Sequence, residues 1–87
     1  MENITYKDVL MSALEDNECL IADGFDDALI GISAGMNPVA VYDHDLCVDI
    51  LMKGGMTDED AVEHMNFNVT GAYVGDKTPV FVYTNTE

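Results

Sequence analysis

The sequence predicts a small α+β domain, in which about three helices pack against an antiparallel sheet of three to four short strands. Segments with a helical period of apolar residues alternate with short apolar runs typical of strands, and turn-forming residues separate them. The chain has 87 residues, of which 48% are hydrophobic. That is enough for one hydrophobic core, so we expect a single compact domain over residues 1–87.

The first predicted element is a helix over residues 6–17. Thr5 can cap its N-terminus, and Asp8 lies near the positive end of the helix dipole. Apolar side chains recur on one face at about 100 degrees per residue. This face consists of Tyr6, Val9, Leu10, Ala13 and Leu14. The pattern is that of an amphipathic helix.

Three short apolar runs after this helix predict strands. They cover residues 19–22, 28–32 and 39–43, and clusters of glycine, aspartate, asparagine and proline separate them. Because such clusters turn the chain, neighbouring runs can pair. We therefore expect two or three short antiparallel strands.

A second helix is expected over residues 44–53, "HDLCVDILMK", with Asp43 as its N-terminal cap. Its apolar side chains leave only Asp45, Asp49 and Lys53 as a narrow polar strip. A helix this apolar either is nearly engulfed by its domain or contacts a partner.

A third helix follows closely. Gly54 and Gly55 end the second helix, and Thr57 caps the third, whose first turn is acidic. Phe67 falls outside the apolar face of the third helix, so either this helix ends near Phe67 or the ring lies on the surface. Asn68, at the expected helix end, is interpreted as a C-terminal cap, with a functional contact as the alternative.

The last apolar run, "PVFVY" at residues 79–83, is β-branched and aromatic and predicts a strand. Pro79 has no backbone N–H and cannot donate to a strand ladder. We therefore expect this strand to close the sheet at an edge.

The stretch "YDHDLC" is the best candidate for a metal site. It holds Asp43, His44, Asp45 and Cys47, and His64 could approach from the third helix. In the favoured interpretation Asp43 is a cap and Cys47 is a core residue, while His44 and Asp45 are solvated. Zinc sites need a closed set of nitrogen and sulfur ligands at recognisable spacing, which this stretch lacks. We predict no metal and no cofactor.

Nucleophilic catalysis is not favoured by the sequence either. Cys19 and Cys47 lie among aliphatic residues, where thiols are usually inert. No glycine pattern matches a phosphate-binding loop. Carboxylate pairs carry little information about acid and base catalysis in a chain with seventeen acidic residues. We therefore predict that the protein is not an enzyme.

The charge of the chain is strongly negative. Seventeen Asp and Glu face three Lys and no Arg, which gives a formal net charge of −14. This charge opposes direct binding to nucleic acid or to an anionic membrane, and it favours a protein partner with a basic surface. The N-terminal residues lack the pattern of a signal peptide, and no apolar run approaches the roughly 20 residues that span a bilayer. We expect a cytoplasmic protein.

Many acidic residues lie about one helical turn apart, which places neighbouring Cβ atoms about 5–6 Å from each other. Phosphates recur at a comparable spacing along a nucleic-acid strand. The candidate binding residues are Asp8, Glu15, Asp45, Asp49, Asp58, Glu59, Asp60 and Glu63, with Phe67 and Tyr73 as local contacts. A surface that only keeps the protein soluble, or that is adapted to high salt, is the alternative.

Three stretches carry a family resemblance: "AVYDHDLCVDILM", "GMTDEDAVEHMNFN" and "GAYVGDKTPVFV". Their pattern, YDxxxC…GMTxxxA…FNxxGAYVGxxTP, resembles a family of short uncharacterised proteins found in bacteriophage and bacterial genomes. The resemblance covers roughly residues 28–82. It implies a small accessory protein of viral origin and brings no activity with it.

Two functions follow from these observations. The first is an acidic, non-catalytic inhibitor that occupies the basic groove of a host protein, as a mimic of nucleic acid. The second is an oligomeric accessory or regulatory module without mimicry. In the second case the apolar helix at residues 44–53 and the edge strand at residues 79–83 would form a homodimer.

Overall fold

The computed structural model describes residues 5–69 and 75–84, without the side chains of Lys7 and Asn68. The first helix, α1, covers Tyr6–Asp16. Thr5 Oγ1 accepts a hydrogen bond from the Asp8 N–H at 3.2 Å, and the Thr5 N–H donates to Asp8 Oδ2 at 3.2 Å. This reciprocal capping box satisfies two N–H groups that a helix start leaves free. The predicted helix start at Thr5 is confirmed.

The buried face of α1 is narrower than its apolar face. Leu10 and Leu14 are buried, whereas Tyr6 is 69% exposed and Val9 is 54% exposed. The helix packs against the first strand of the sheet. One half of the apolar face therefore enters the core and the other half faces solvent.

Residues 19–22 do not form the predicted strand. Their backbone N–H groups donate to scattered partners rather than to one neighbouring strand. Leu20 N–H donates to Lys77 O at 3.3 Å, and Ala22 N–H donates to the Tyr42 hydroxyl at 2.9 Å. The segment is thus an irregular connection, and it leads into a 3₁₀ turn at Asp26–Ala28.

The described part of the chain contains a three-stranded sheet in the order β1-β2-β3. The strands are β1 at Leu29–Ile32, β2 at Ala40–Asp43 and β3 at Val80–Val82. The β1–β2 pair is antiparallel, but β2 and β3 are parallel, with Tyr42 opposite Phe81. The α+β class is confirmed, while the sheet is mixed rather than fully antiparallel. The reason is the connection between β2 and β3, because a long helical crossover returns the chain in the same direction.

The position of β3 agrees with the prediction from Pro79. β3 pairs only with β2 within the described sheet and lies at its edge. The Phe81 ring stacks on the Tyr42 ring, with the ring centroids 5.4 Å apart. Tyr42 is 1% exposed and is among the largest buried side chains. The edge strand therefore completes the core over the central strand.

The second helix, α2, covers His44–Lys53, as predicted. Asp43 Oδ1 accepts a hydrogen bond from the Leu46 N–H at 3.1 Å, which confirms Asp43 as the cap. Gly54 caps the C-terminus, and Gly55 has a φ of 115°, which favours glycine. Cys47 is fully buried, but Leu46 is 40% exposed. The helix is half-buried rather than engulfed.

The third helix, α3, covers Asp58–His64 and packs against α2. Thr57 Oγ1 accepts a hydrogen bond from the Asp60 N–H at 3.1 Å, so Thr57 caps the N-terminus of α3, as predicted. A π-helical turn over Met65–Val69 continues the helix. Phe67 lies in this turn and is 77% exposed. The proposed cap at Asn68 depends on a side chain that lies outside the described residues.

The hydrophobic core lies between the sheet and the helices. Its buried residues are Leu10, Leu14, Phe25, Ala28, Leu29, Ala40, Tyr42, Cys47, Val48, Ala61 and Met65. Ala61 of α3 and Met65 of the following π-helical turn belong to this core, and both are 0% exposed. The acidic side of α3 is consequently held outward by the buried side of the same helix.

Candidate functional site

The eight acidic side chains that the sequence singles out are all exposed. They lie on three different helices. Asp8 and Glu15 belong to α1, Asp45 and Asp49 to α2, and Asp58, Glu59, Asp60 and Glu63 to α3. The largest set therefore belongs to α3, the shortest of the three helices.

The carboxylates of α3 are placed favourably for the helix itself. Asp58, Glu59 and Asp60 occupy its first turn. Negative charge near a helix N-terminus is stabilised by the helix dipole and by the free N–H groups there. Part of the acidity of this surface therefore stabilises the local fold.

An open depression of about 520 Å³ borders Phe67. Asp60, Glu63, His64 and Met56 line it together with Phe67. The lining combines two carboxylates with the apolar surfaces of a methionine and an aromatic ring. A cation with an apolar stem would find both kinds of contact here.

A second open depression, of about 470 Å³, also borders Phe67. Its lining residues are Asp58, Glu59, Val62, Glu63, Asn66 and Phe67. Phe67 and Glu63 line both depressions, so the two depressions share an aromatic residue and a carboxylate. The structure thus brings the four acids of α3 together with Phe67 in one surface, which we call the Phe67 surface.

The remaining candidate acids lie elsewhere. Asp8 is engaged in the capping box of α1. Asp49 borders a separate depression of about 370 Å³ with Asp27 and Lys53. Tyr73, the second predicted contact residue, lies outside the described residues. The prediction that Phe67 contributes to a surface is compatible with its position, whereas the predicted acidic set divides among several places.

The signal for the Phe67 surface was partly present in the sequence. The position of Phe67 off the apolar face of α3 left two alternatives, a helix end near Phe67 or an exposed ring. The π-helical turn and the contributions of Met56 and Val62 had no such signal, because they depend on how the chain leaves α3. The two depressions could therefore not be predicted from the residue pattern.

The metal candidates of the "YDHDLC" stretch are used structurally. Asp43 is 8% exposed, and its carboxylate accepts hydrogen bonds from the Leu46 N–H and from Thr84 Oγ1. Burial works to raise the pKa of Asp43, but hydrogen bonds from Thr84 and the backbone hold it below its ordinary value. Asp43 is therefore a buried, ionised cap.

The prediction that His44 is solvated is wrong. His44 is 4% exposed, and its ring lies against the Tyr83 ring, with centroids 4.6 Å apart. Neither ring nitrogen has a hydrogen-bond partner within the described residues, and Nδ1 lies 3.8 Å from Asp45 Oδ1. The cause is the parallel pairing of β2 with β3, which carries Tyr83 over the start of α2.

The two cysteine thiols are free and differ in exposure. Burial, and then the charge of Asp43, raise the pKa of Cys47 to about 12. A protonated thiol is a poor nucleophile and a poor metal ligand. Cys19 is partly buried, and its Sγ donates to Pro38 O at 3.1 Å. Among the residues described, no group of three or more His, Cys, Asp or Glu is placed to hold a metal ion.

The helices within residues 5–69 and 75–84 do not combine the length and apolarity that crossing a membrane requires. Comparisons of the chain with protein-family models, with curated proteins and with solved structures find no match.

Proposed function

We propose that this protein is a small acidic accessory protein of the bacteriophage type, which binds a host protein in the host cytoplasm without catalysis. Its target carries a basic surface that otherwise binds nucleic acid, and the acidic protein inhibits that target by occupying the surface. The observation that carries this proposal is the Phe67 surface, where four exposed carboxylates of α3 and the exposed Phe67 line two open depressions.

The net charge supports the kind of partner. A body of 87 residues with a charge of −14 attracts basic surfaces over roughly 10 Å at 0.1 M salt. The same charge repels nucleic acid and anionic lipid. Association with a basic protein is therefore favoured by long-range attraction before any contact forms.

The spacing of the carboxylates supports mimicry of a nucleic-acid strand. Asp45 and Asp49 lie four residues apart on α2, and Glu59 and Glu63 lie four residues apart on α3. Residues at this separation have Cβ atoms about 5–6 Å apart on one helix face. Because helices carry them, the charges are presented at nearly constant positions, as the phosphates of a strand are.

The state of the buried thiol and of the buried carboxylate supports a role without catalysis. The thiol of Cys47 is fully buried and its pKa is raised to about 12. The carboxylate of Asp43 is engaged by Thr84 and by the backbone of α2. Both groups stabilise the fold where they lie, and neither faces the Phe67 surface depressions.

The test is a pull-down from bacterial lysate with the immobilised protein, at low and moderate salt, with and without competing DNA. Retained proteins are identified by mass spectrometry. We expect a basic nucleic-acid-binding protein that is retained at low salt, lost at higher salt and displaced by DNA, because attraction between opposite charges is screened by salt.

Two charge-reversal variants make the test specific. The first changes Glu59, Asp60 and Glu63 to lysine and should abolish retention. The second changes Asp16, Glu18 and Asp23 to lysine; these residues are exposed and lie outside the candidate set. This second variant changes the net charge by the same amount as the first. It should retain the basic protein nearly as well as the wild type does. If the basic protein is still retained by the first variant, the proposal is refuted. If the two variants lose retention equally, binding depends on the net charge alone and not on the Phe67 surface.

A homo-oligomeric module is the second candidate, and exposed apolar residues favour it. Leu46 and Met52 on α2 are 40% and 39% exposed, and Val80 on the edge strand is 41% exposed. Association through these residues would bury apolar surface and persist at high salt. Sedimentation velocity at high protein concentration and high salt tests this candidate, and a monomer under those conditions would exclude it.

A further inference from the structure

We infer that Phe67 anchors the interaction and that the two depressions beside its ring receive two cationic side chains, in particular arginines, from one segment of a partner protein. This inference rests on the proposed function and specifies the chemistry of the partner. In this inference an aromatic residue contacts the partner directly. Attraction between opposite charges alone would not require such a contact.

The position of Phe67 is unusual for so large an apolar side chain. Phe67 is 77% exposed, and it lies in a π-helical turn that follows α3 directly. Single exposed apolar residues are common on protein surfaces. Phe67, however, adjoins Met56 in one depression and Val62 in the other, and Val62 is itself 37% exposed. Each depression therefore has apolar lining as well as carboxylates, and π-helical turns occur frequently at functional sites.

The charge of the residues that line the two depressions indicates the occupant. Asp60 borders the first depression, Asp58 and Glu59 border the second, and Glu63 borders both. A cation in either depression lies beside the aromatic ring and within reach of carboxylates. Both contacts are attractive for a cation, since the ring face is negative.

Other occupants fit less well. Nucleic acid would be repelled by the four carboxylates. A purely apolar segment would cover those carboxylates without pairing them, which is costly. A second copy of this chain carries the same charge of −14 and offers three lysines and no arginine. A basic segment of another protein has the complementary charge.

Arginine suits the surface better than lysine. Its planar guanidinium stacks on aromatic rings, pairs with carboxylates through two parallel hydrogen bonds and is more weakly hydrated than an ammonium group. Two arginines separated by one residue in an extended segment lie on the same side, about 6–7 Å apart. Such a pair can place one guanidinium in each of the two depressions that Phe67 lines.

The inference is tested with two synthetic peptides on a glycine–serine background. One peptide has two arginines separated by one residue, and the other has lysines at the same positions. Affinity is measured by isothermal titration calorimetry at low salt, and the Phe67 aromatic resonances are followed by NMR. We expect the arginine peptide to bind more tightly and to shift the Phe67 resonances.

A Phe67→Leu variant keeps an apolar side chain but removes the aromatic face. The affinity of this variant for the arginine peptide should be about two- to fivefold lower than that of the wild type, which is the range for cation–π contacts at exposed sites. Tyr6→Leu is the matched control, because Tyr6 is 69% exposed on α1 and borders neither depression. It should leave the affinity unchanged, and circular dichroism should show both variants folded.

The outcomes separate this inference from the proposed function. If the wild type binds the arginine peptide and Phe67→Leu binds it equally well, the inference is overturned, while salt-dependent retention of a basic protein can still hold. Equal affinity for the two peptides, or equal losses in Phe67→Leu and Tyr6→Leu, overturns it as well. If the wild type binds neither the peptides nor any basic protein from lysate, both proposals fail.

Discussion

Thr84 Oγ1 donates a hydrogen bond to Asp43 Oδ2 at 2.5 Å, and this bond joins the end of β3 to the start of α2. Next to it, the Tyr83 ring covers the His44 ring. Two successive residues after the edge strand thus contact two successive residues at the β2–α2 junction. Because α2 packs against α3, this junction contributes to the position of the helix that carries the Phe67 surface.

Asp43 and Thr84 should be energetically coupled. Asp43→Ala removes both the helix cap and the acceptor for Thr84, and we expect a loss of about 2–4 kcal/mol in the free energy of unfolding. Thr84→Val removes only the donor and should cost about 1–2 kcal/mol. Urea denaturation of the single and double variants measures both effects. In the Asp43→Ala background the Thr84→Val change should cost almost nothing, and strictly additive losses would show that the two residues do not interact.

The ionised state of Asp43 predicts a pH dependence. Burial raises its pKa, but hydrogen bonds from Thr84 and from the backbone outweigh burial and leave the pKa of Asp43 lowered in the folded protein. A lowered folded-state pKa stabilises the fold above the unfolded-state pKa of about 3.9, and this stabilisation is lost as the pH falls through the folded-state value. The difference in unfolding free energy between wild type and Asp43→Asn should therefore be largest near neutral pH and shrink below about pH 4.

Urea denaturation at a series of pH values between neutral and acid measures this difference. Asp49→Asn is the matched control, because Asp49 is exposed on the same helix. Its difference from wild type should stay small at every pH. A difference for Asp43→Asn that stays constant into the acid range would contradict the hydrogen-bonded, ionised state of Asp43.

Helix starts were predictable from the sequence because their signals are local. Thr5, Asp43 and Thr57 each accept a hydrogen bond from a backbone N–H three residues ahead, so the cap and its partner lie within one turn. Pro79 similarly indicated an edge strand. The burial of His44 was not predictable, because it depends on Tyr83, which is distant in sequence and reaches His44 only through the parallel pairing of β2 and β3.

The strand predicted at residues 19–22 is absent for a similar reason, because contacts with residues distant in sequence decide the conformation of this segment. The apolar run is real, but its N–H groups are satisfied by the Tyr42 hydroxyl and by Lys77 O instead of a neighbouring strand. For the Phe67 surface, the acidic turn of α3 was evident from the sequence. The position of Phe67 on this surface depends on the π-helical turn, which the residue pattern did not predict.

The thiol of Cys47 should be inert in the folded protein. Its side chain is fully buried, and burial raises its pKa to about 12, so almost no thiolate forms at pH 8. In a Cys19→Ser variant, which leaves Cys47 as the single thiol, a disulfide reagent should react only after denaturant is added. Absorbance at the wavelength of the released thiolate follows the reaction. Rapid reaction under native conditions would contradict the buried position of Cys47.

The net charge predicts that salt stabilises the fold. A charge of −14 on 87 residues produces self-repulsion, and raising the salt from about 0.01 M to about 0.15 M shortens the Debye length from about 30 Å to about 8 Å. The thermal midpoint should rise, by about 4–8 °C for each kcal/mol gained in a domain of this size. Differential scanning calorimetry measures this rise.

The control is the variant with lysine at Asp16, Glu18 and Asp23, whose net charge is −8 because each reversal changes the charge of −14 by two. At low salt its midpoint should exceed that of the wild type, and its response to salt should be smaller. A midpoint that does not depend on salt would mean that the carboxylates do not repel one another appreciably. If stability instead keeps rising well beyond about 0.15 M, where screening is already nearly complete over these distances, the acidic surface serves adaptation to high salt rather than attraction of a partner.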